Sequence, residues 1–297
     1  MPDAAPPIPH GVERAVVLGS GRMAPGLAAA LVRAGCAVTI CGRVPGRARL
    51  AADAGAQLAG REVASAAIGE STLRDADLVL ETIVEDLAAK HEVLGRVEGW
   101  LRPDALVATN TSSLRVGDIG EGMARPERLL ALHFLFPAHR SPLVEVMGGP
   151  RTAPEAIERG VSLARAMDKV PIRVGRDSAG LVWNRLQFAL LREALHLLED
   201  GVADAATIDA CVELGLGRRW VATGPLATAE LGGLDTFSRV AGQLYPDLSA
   251  ATEPPALLAR GVRPMSEAQR AAATRLREAA LEATAPIAEV RRAGLDA

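Results

Sequence analysis

Aromatic side chains are scarce: four Phe, three Trp and one Tyr make up 3% of 297 positions. Surfaces that stack nucleobases are built on such rings, so a nucleic-acid partner is not expected. Basic residues do not gather either. The 33 Lys and Arg are scattered among 36 Asp and Glu, for a formal net charge of −3, and leave no stripe to neutralise a phosphate backbone. Cysteine is limited to Cys36, Cys41 and Cys211 without paired spacing, so no disulfide framework and no metal site is indicated, and a reducing cytoplasm fits. No apolar run reaches membrane-spanning length, so no membrane partner is expected. The Pro-rich residues 1–10 lack a signal-peptide core and read as a disordered arm. No internal repeat is visible. What is present is a chain 49% hydrophobic and longer than one ordinary core needs, which points to two domains.

The first of these is built from short apolar runs. Residues 14–18 (Arg-Ala-Val-Val-Leu) read as a buried strand that enters Gly19-Ser20-Gly21-Arg22-Met23-Ala24, followed by an Ala- and Leu-rich helix over 23–34 that Gly35 ends. This is a G-x-G-x-x-G/A fingerprint in its required setting of strand, turn and helix. Gly19 permits the turn, Gly21 lets the backbone approach a pyrophosphate, and Ala24 keeps helix and strand close. The amide-rich helix start attracts phosphate, with Arg22 and Met23 beside it. A second strand, Ala37–Cys41, ends at Gly42-Arg43. An acid commonly stands there to hold the ribose hydroxyls. Gly42 removes it, and Arg43 with Arg47 and Arg49 either meets a 2′-phosphate or forms a solvated helix face.

Further strands are read at 78–80, Leu106–Thr109, Leu129–Phe134, 142–147 and Val170–Val174, with helices over 87–101 and 154–167. Residues 106–146 carry the chemistry: Asn110-Thr111-Ser112-Ser113 after one strand, His133 on the next, Glu145 on a third. A His paired with a carboxylate is the usual recipe for a general base. From Gly180 onward only helices are read, over 181–200, 204–214, 225–231, Leu234–Leu244 and 266–292. The apolar positions of the 181–200 helix spread beyond one stripe, so a second subunit is expected to cover part of it. The expectation is an α/β fold: residues 1–11 an arm, 12–177 a Rossmann-type domain on a mostly parallel sheet, 178–297 an all-helical dimerisation and substrate domain.

Taken together, these residues resemble the 3-hydroxyacyl-CoA dehydrogenase family over nearly the whole chain. The resemblance rests on Gly19 and Gly21, Glu81 to Glu85, Lys90, residues 110–113, His133-Phe134, residues 143–146, Asn184-Arg185, residues 215–217 and residues 224–226. It implies a homodimeric dehydrogenase that binds NAD on a Rossmann domain and closes a helical domain over its substrate. Carried over residue by residue, His133 is the base and Glu145 its orienting carboxylate. Ser112 and Asn184 hold the substrate oxygen, and Glu85, Lys90 and Asn110 belong to the cofactor side.

The chain also departs from the family. Gly42-Arg43 replaces the ribose-binding acid, and Phe136 stands where the family has Asn. The C-terminal Gly-x-Gly-Phe-Tyr segment is missing, residues 259–262 passing in its place. The stretch from the second strand to Asp75 is shorter than in acyl-CoA enzymes, which place there a basic helical pair contacting CoA. Residues 186–190 and 217–225 resemble the branch acting on small polar hydroxy acids, which includes L-gulonate 3-dehydrogenase, carnitine dehydrogenase and a pyridine-carboxylate dehydrogenase.

The expected function is hydride transfer between a nicotinamide dinucleotide and the secondary alcohol or ketone of a small carboxylate-bearing hydroxy compound. Arg219 is the candidate carboxylate ligand, with His139 and Arg140 as further candidates. Charge at Gly42-Arg43 favours NADP, while the resemblance pulls toward NAD. The alternatives are a 3-hydroxyacyl-CoA dehydrogenase and a non-catalytic dinucleotide-binding structural or sensor homologue; intact Ser112, His133, Glu145 and Asn184 argue against the latter.

Overall fold

The computed structural model describes residues 11–263 and 265–284. Residues 1–10 of the expected arm and the last part of the expected 266–292 helix lie outside the described residues. The chain divides into two compact units, residues 1–184 and 185–297.

The first unit is one eight-stranded sheet in the order β3-β2-β1-β4-β5-β6-β7-β8. The strands are β1 Arg14–Leu18, β2 Ala37–Cys41, β3 Ala64–Ala66, β4 Leu78–Glu81, β5 Leu106–Thr109, β6 Leu129–Phe134, β7 Leu143–Gly148 and β8 Val170–Val174. All neighbours are parallel except β6 and β7, which run antiparallel. Helices cover both faces, which is why the central strands read as unbroken apolar runs rather than alternating ones. Side chains within a strand still divide by face. Ala15 and Val17 enter one core with α1 (Ala24–Arg33), α2 (Pro45–Ala59) and α6 (Pro154–Ala166). Val16 and Leu18 enter the other with α3 (Glu70–Leu73), α4 (Leu87–Glu98) and α5 (Val116–Gly120).

Residues 57–77, whose weak sequence pattern allows a short strand and a helix, form the end of α2, the three-residue β3 and the single turn α3. β7 starts and ends one residue later than the sequence pattern indicates, because its pairing with β8 sets its start and its pairing with β6 sets its end. Asp77 accepts the backbone N–H groups of Glu13 and Arg14 and pairs with Arg102. It closes the sheet edge opposite the one that carries the chemistry.

The second unit holds most of α7 (Trp183–Glu199), then α8 (Ala205–Ala210), α9 (Gly217–Trp220), α10 (Pro225–Gly232), α11 (Leu234–Leu244), α12 (Ala256–Arg260) and α13 (Glu267–Ala283). The expected 204–214 helix is shorter than its pattern. At Cys211 it widens into a π-helical turn, Cys211–Leu216, and Gly217 then passes so close that a Cβ would lie 2.9 Å from Val212 O. A capping box of Ser266 and Gln269 starts α13. None of the described residues of α8 to α13 is buried, and Leu226, Leu231, Tyr245 and Leu276 are 71–83% exposed. No helix of the described residues is long and apolar enough to cross a membrane.

Candidate active site

His133 on β6 and Glu145 on β7 are direct cross-strand partners in the antiparallel register. Such partners share one face of the sheet and lie within reach of each other. His133 Nδ1 is 2.8 Å from Glu145 Oε2, and both side chains are buried. The other carboxylate oxygen accepts the backbone N–H groups of Val182 (2.8 Å) and Trp183 (2.9 Å), where α7 begins. Unpaired amides at a helix start favour an anion. Burial, the largest influence, pushes the Glu145 pKa up. The hydrogen bonds from His133, Trp183 and Val182 and the charge of His133 outweigh it and leave the group below its ordinary 4.5. An ionised carboxylate only accepts, so the ring hydrogen sits on Nδ1 and the lone pair on Nε2.

The turn before α7 presents these amides through Gly180 at φ 78° and Leu181 at φ 49°. A bulky residue in the left-handed region costs about 1–2 kcal/mol. Burial of the Leu181 side chain in the core offsets it. The first turn of α7 carries Asn184, whose Nδ2 donates to Ser112 O at 2.8 Å. One donor of the Asn184 amide is therefore spent on the Ser112 backbone.

Ser112 stands on the turn after β5. Glu85 Oε1 accepts from Thr111 Oγ1 (2.6 Å), Ser112 N (2.7 Å), Ser113 N (2.8 Å) and Ser113 Oγ (3.0 Å). Burial is again the largest influence and raises the Glu85 pKa, but these bonds and the Lys90 charge bring it down to about 2. Its contribution to stability is thus complete above the ordinary 4.5 and is lost as pH falls toward 2. Asn110 Oδ1 accepts Phe134 N at 2.9 Å, so Asn110 pins the end of β6 next to His133.

A cleft of about 620 Å³ opens beside this turn, with Gly19, Arg22, Met23, Gly42, Arg43 and Ser112 in its wall. Glu85 and Asn110 also line it, whereas Ala24 is buried behind it at the start of α1. Gly19 has φ 130°, and a Cβ there would lie 2.5 Å from Thr82 O. Gly19→Ala is expected to cost about 1–3 kcal/mol from backbone strain alone, seen as a lower urea midpoint. An unchanged midpoint refutes this account of the turn. The open space at Gly21, beside the α1 start, fits a phosphate-bearing dinucleotide laid across the strand ends. Arg22 stacks over the Phe136 ring at 4.8 Å.

Lys90 is elsewhere than at the cleft wall: it is 1% exposed and lies 2.8 Å from Glu81 Oε1. His139 and Arg140 lie in the turn after Pro137, where the backbone of His139 packs against Gly26 of α1. Arg219 lies on α9 in the helical unit. Glu81 and the backbone amides of Val182 and Trp183 stand outside the site residues that the sequence singles out. Glu81 did carry a signal, an acid ending an apolar buried run. The two amides carried none, since backbone donors have no side-chain identity.

The family model for the NAD-binding domain of 3-hydroxyacyl-CoA dehydrogenase matches residues 14–178, and the model for its C-terminal domain matches residues 180–278. A 5-formyl-3-hydroxy-2-methylpyridine 4-carboxylate 5-dehydrogenase from Mesorhizobium japonicum is 33% identical over 252 residues, covering 80% of this chain and 82% of that protein. An L-carnitine dehydrogenase from Burkholderia mallei is 40% identical over 55% of this chain, a match that spans about half (51%) of that relative. A crystal structure of a 5-formyl-3-hydroxy-2-methylpyridine 4-carboxylic acid 5-dehydrogenase, an NAD+-dependent dismutase, superposes with a TM-score of 0.87 at 28% identity, covering 94% of this chain and 99% of the other. Family models over both units, with a relative one-third identical over four-fifths of the chain, establish that the chain belongs to the 3-hydroxyacyl-CoA dehydrogenase family and is a dehydrogenase acting on CH–OH groups.

Proposed function

We propose that the enzyme interconverts the secondary alcohol and ketone of a small, carboxylate-bearing hydroxy compound. The observation that carries this reading is the buried His133–Glu145 pair on a strand whose end is pinned by Asn110 of the cleft wall. A bound nicotinamide ring supplies the position that takes or gives the hydride. His133 Nε2 takes the hydroxyl proton in oxidation and returns it in reduction, while Glu145 keeps the ring in one tautomer and one orientation. Ser112 and the second amide hydrogen of Asn184 hold the substrate oxygen as charge develops on it.

Two features support a small acid over an acyl-CoA. Between β2 and β4 the chain forms one long helix, a three-residue strand and a single helical turn, with no second long helix for a basic CoA-binding pair. The Mesorhizobium relative carries a pyridine carboxylate in its name. Arg219 is the proposed carboxylate ligand, with His139 and Arg140 as alternatives. A screen of hydroxy acids and hydroxyacyl-CoAs with both cofactors, followed by nicotinamide absorbance, tests the reading. Turnover confined to hydroxyacyl-CoAs favours the acyl-CoA alternative instead.

For the cofactor, the family model and the relative both point to NAD and lend the NADP expectation no support. Local chemistry keeps NADP in the proposal. Arg43 and Arg47 line the cleft, and Ser20 Oγ fills the space beside Gly42, where a Cβ would lie 2.8 Å from it. Arg43→Ala is expected to weaken NADP binding about ten- to a hundredfold, the worth of one charge-assisted hydrogen bond, and to leave NAD binding unchanged. Fluorescence titration of both reduced cofactors measures it. Tighter NAD binding by the wild type, with the same preference in the variant, makes Arg43 a solvated residue ahead of α2.

The helical unit is proposed to be completed by a second copy of the chain, because large apolar side chains such as Leu226, Leu231, Leu276 and Tyr245 are exposed among its described residues. Sedimentation at micromolar concentration should show a dimer, and a monomer would refute it. The unpaired Cys36 and Cys41, their thiols pushed up by burial to about 12 and about 11, suit a reducing cytoplasm.

A further inference from the structure

Lys90 and Glu81 are buried, charged and out of the cleft, yet they touch the groups that shape it. Glu81 ends β4 beside Thr109 of β5. Its Oε1 accepts Ile83 N (2.6 Å) and Lys90 Nζ (2.8 Å), and its Oε2 accepts Lys90 Nζ (2.9 Å) and Thr109 Oγ1 (2.6 Å). Thr109 Oγ1 in turn accepts Thr111 N at 3.2 Å. Thr111 Oγ1 donates to Glu85 Oε1, and Glu85 Oε2 lies 3.3 Å from Lys90 Nζ. The contacts close a ring through Glu81, Thr109, Thr111, Glu85 and Lys90. Every donor in it finds an acceptor.

The two oxygens of Glu85 divide the work. One faces the Lys90 ammonium, while the other accepts from the Ser112 turn. We propose that Glu81 and Lys90 are positioning residues for the dehydrogenase reaction, a buried ring that orients Glu85 and thereby fixes the Ser112 turn. The proposal rests on the reading of Ser112 as a substrate contact. A buried ion pair is a poor source of net stability, since apolar replacements of similar volume are often as stable or more so. Its value here is geometric. Desolvated charges with all bonds satisfied hold one arrangement and penalise others. Without Lys90 held by Glu81, Glu85 is free to swing toward solvent, and the Ser112 and Ser113 amides lose their acceptor.

The test is amide hydrogen exchange on the full-length protein. In Glu81→Gln, exchange at Ser112 and Ser113 should rise about tenfold or more, while the β4 and β5 ladder amides of Leu80 and Val107 keep wild-type protection. A purely structural role moves both sets together, and that result overturns the proposal, as does unchanged exchange at Ser112 and Ser113. If Glu81→Gln fails to fold, the double variant Glu81→Gln/Lys90→Gln replaces the ion pair by an amide pair and should show the same localised loss. Ser112→Ala separates the two readings because it keeps the backbone amides. Wild-type turnover in Ser112→Ala sinks the substrate contact and leaves the ring standing. Wild-type exchange in Glu81→Gln does the reverse.

Discussion

His133→Gln and His133→Ala should abolish turnover, a loss of at least about two to four decades in kcat, while reduced-cofactor affinity stays near the wild-type value. The expectation follows from where the proton must go. Glu145 is ionised and occupies Nδ1, so Nε2 is the basic nitrogen at this position. Gln offers a similar shape without a group that takes a proton near neutral pH. The histidine lies on β6 and is absent from the cleft wall, so the fold and the dinucleotide site should survive its loss. Steady-state rates paired with a fluorescence titration of the reduced cofactor check both halves. Turnover retained in either variant removes His133 from the mechanism.

Glu145→Gln should lower kcat by roughly two to four decades, the cost of a base in the wrong tautomer or orientation. The amide keeps the volume but loses the charge that holds the Nδ1 hydrogen and faces the α7 amides. A stability signature accompanies the rate loss. The folded-state pKa of Glu145 is depressed, so the carboxylate stabilises the protein above its ordinary 4.5, and this contribution disappears as pH falls through the folded value. The gap between wild type and Glu145→Gln should therefore be fully open at neutral pH and close in strong acid. Urea unfolding at the two extremes measures it. A gap that does not change with pH would show that the carboxylate is not preferentially ionised in the folded protein.

Much of the site was legible because its residues sit at element ends with local signatures. The Gly19–Ala24 fingerprint follows a strand and opens a helix, and Asn110 to Ser113 follows an apolar run. The strand–turn–helix order alone places both at one edge of a parallel sheet. The resemblance puts Lys90 on the cofactor side, and nothing in its local sequence marks its burial. Its partner Glu81 is nine positions away on a strand. The short segment α5 also escaped the pattern, being too short to show a helical period. The π-helical turn at Cys211 differs from an ordinary helix only in hydrogen-bond offset, which side-chain spacing does not report.

By itself the sequence determined the elements, the two-unit plan and the residue types at the chemistry, because hydrophobic period, turn residues and glycine spacing act over a few neighbouring positions. Tertiary structure alone decided the rest. Whether Glu145 meets His133 depends on the antiparallel register of β6 and β7, and a slip of one residue would turn Glu145 to the opposite face. Whether that carboxylate is ionised depends on two amides thirty-seven and thirty-eight positions away. Whether Glu81, the acid that Lys90 meets, also meets Thr109 depends on the pairing of β4 with β5. These outcomes come from packing segments far apart in the chain, and no short-range pattern carries them.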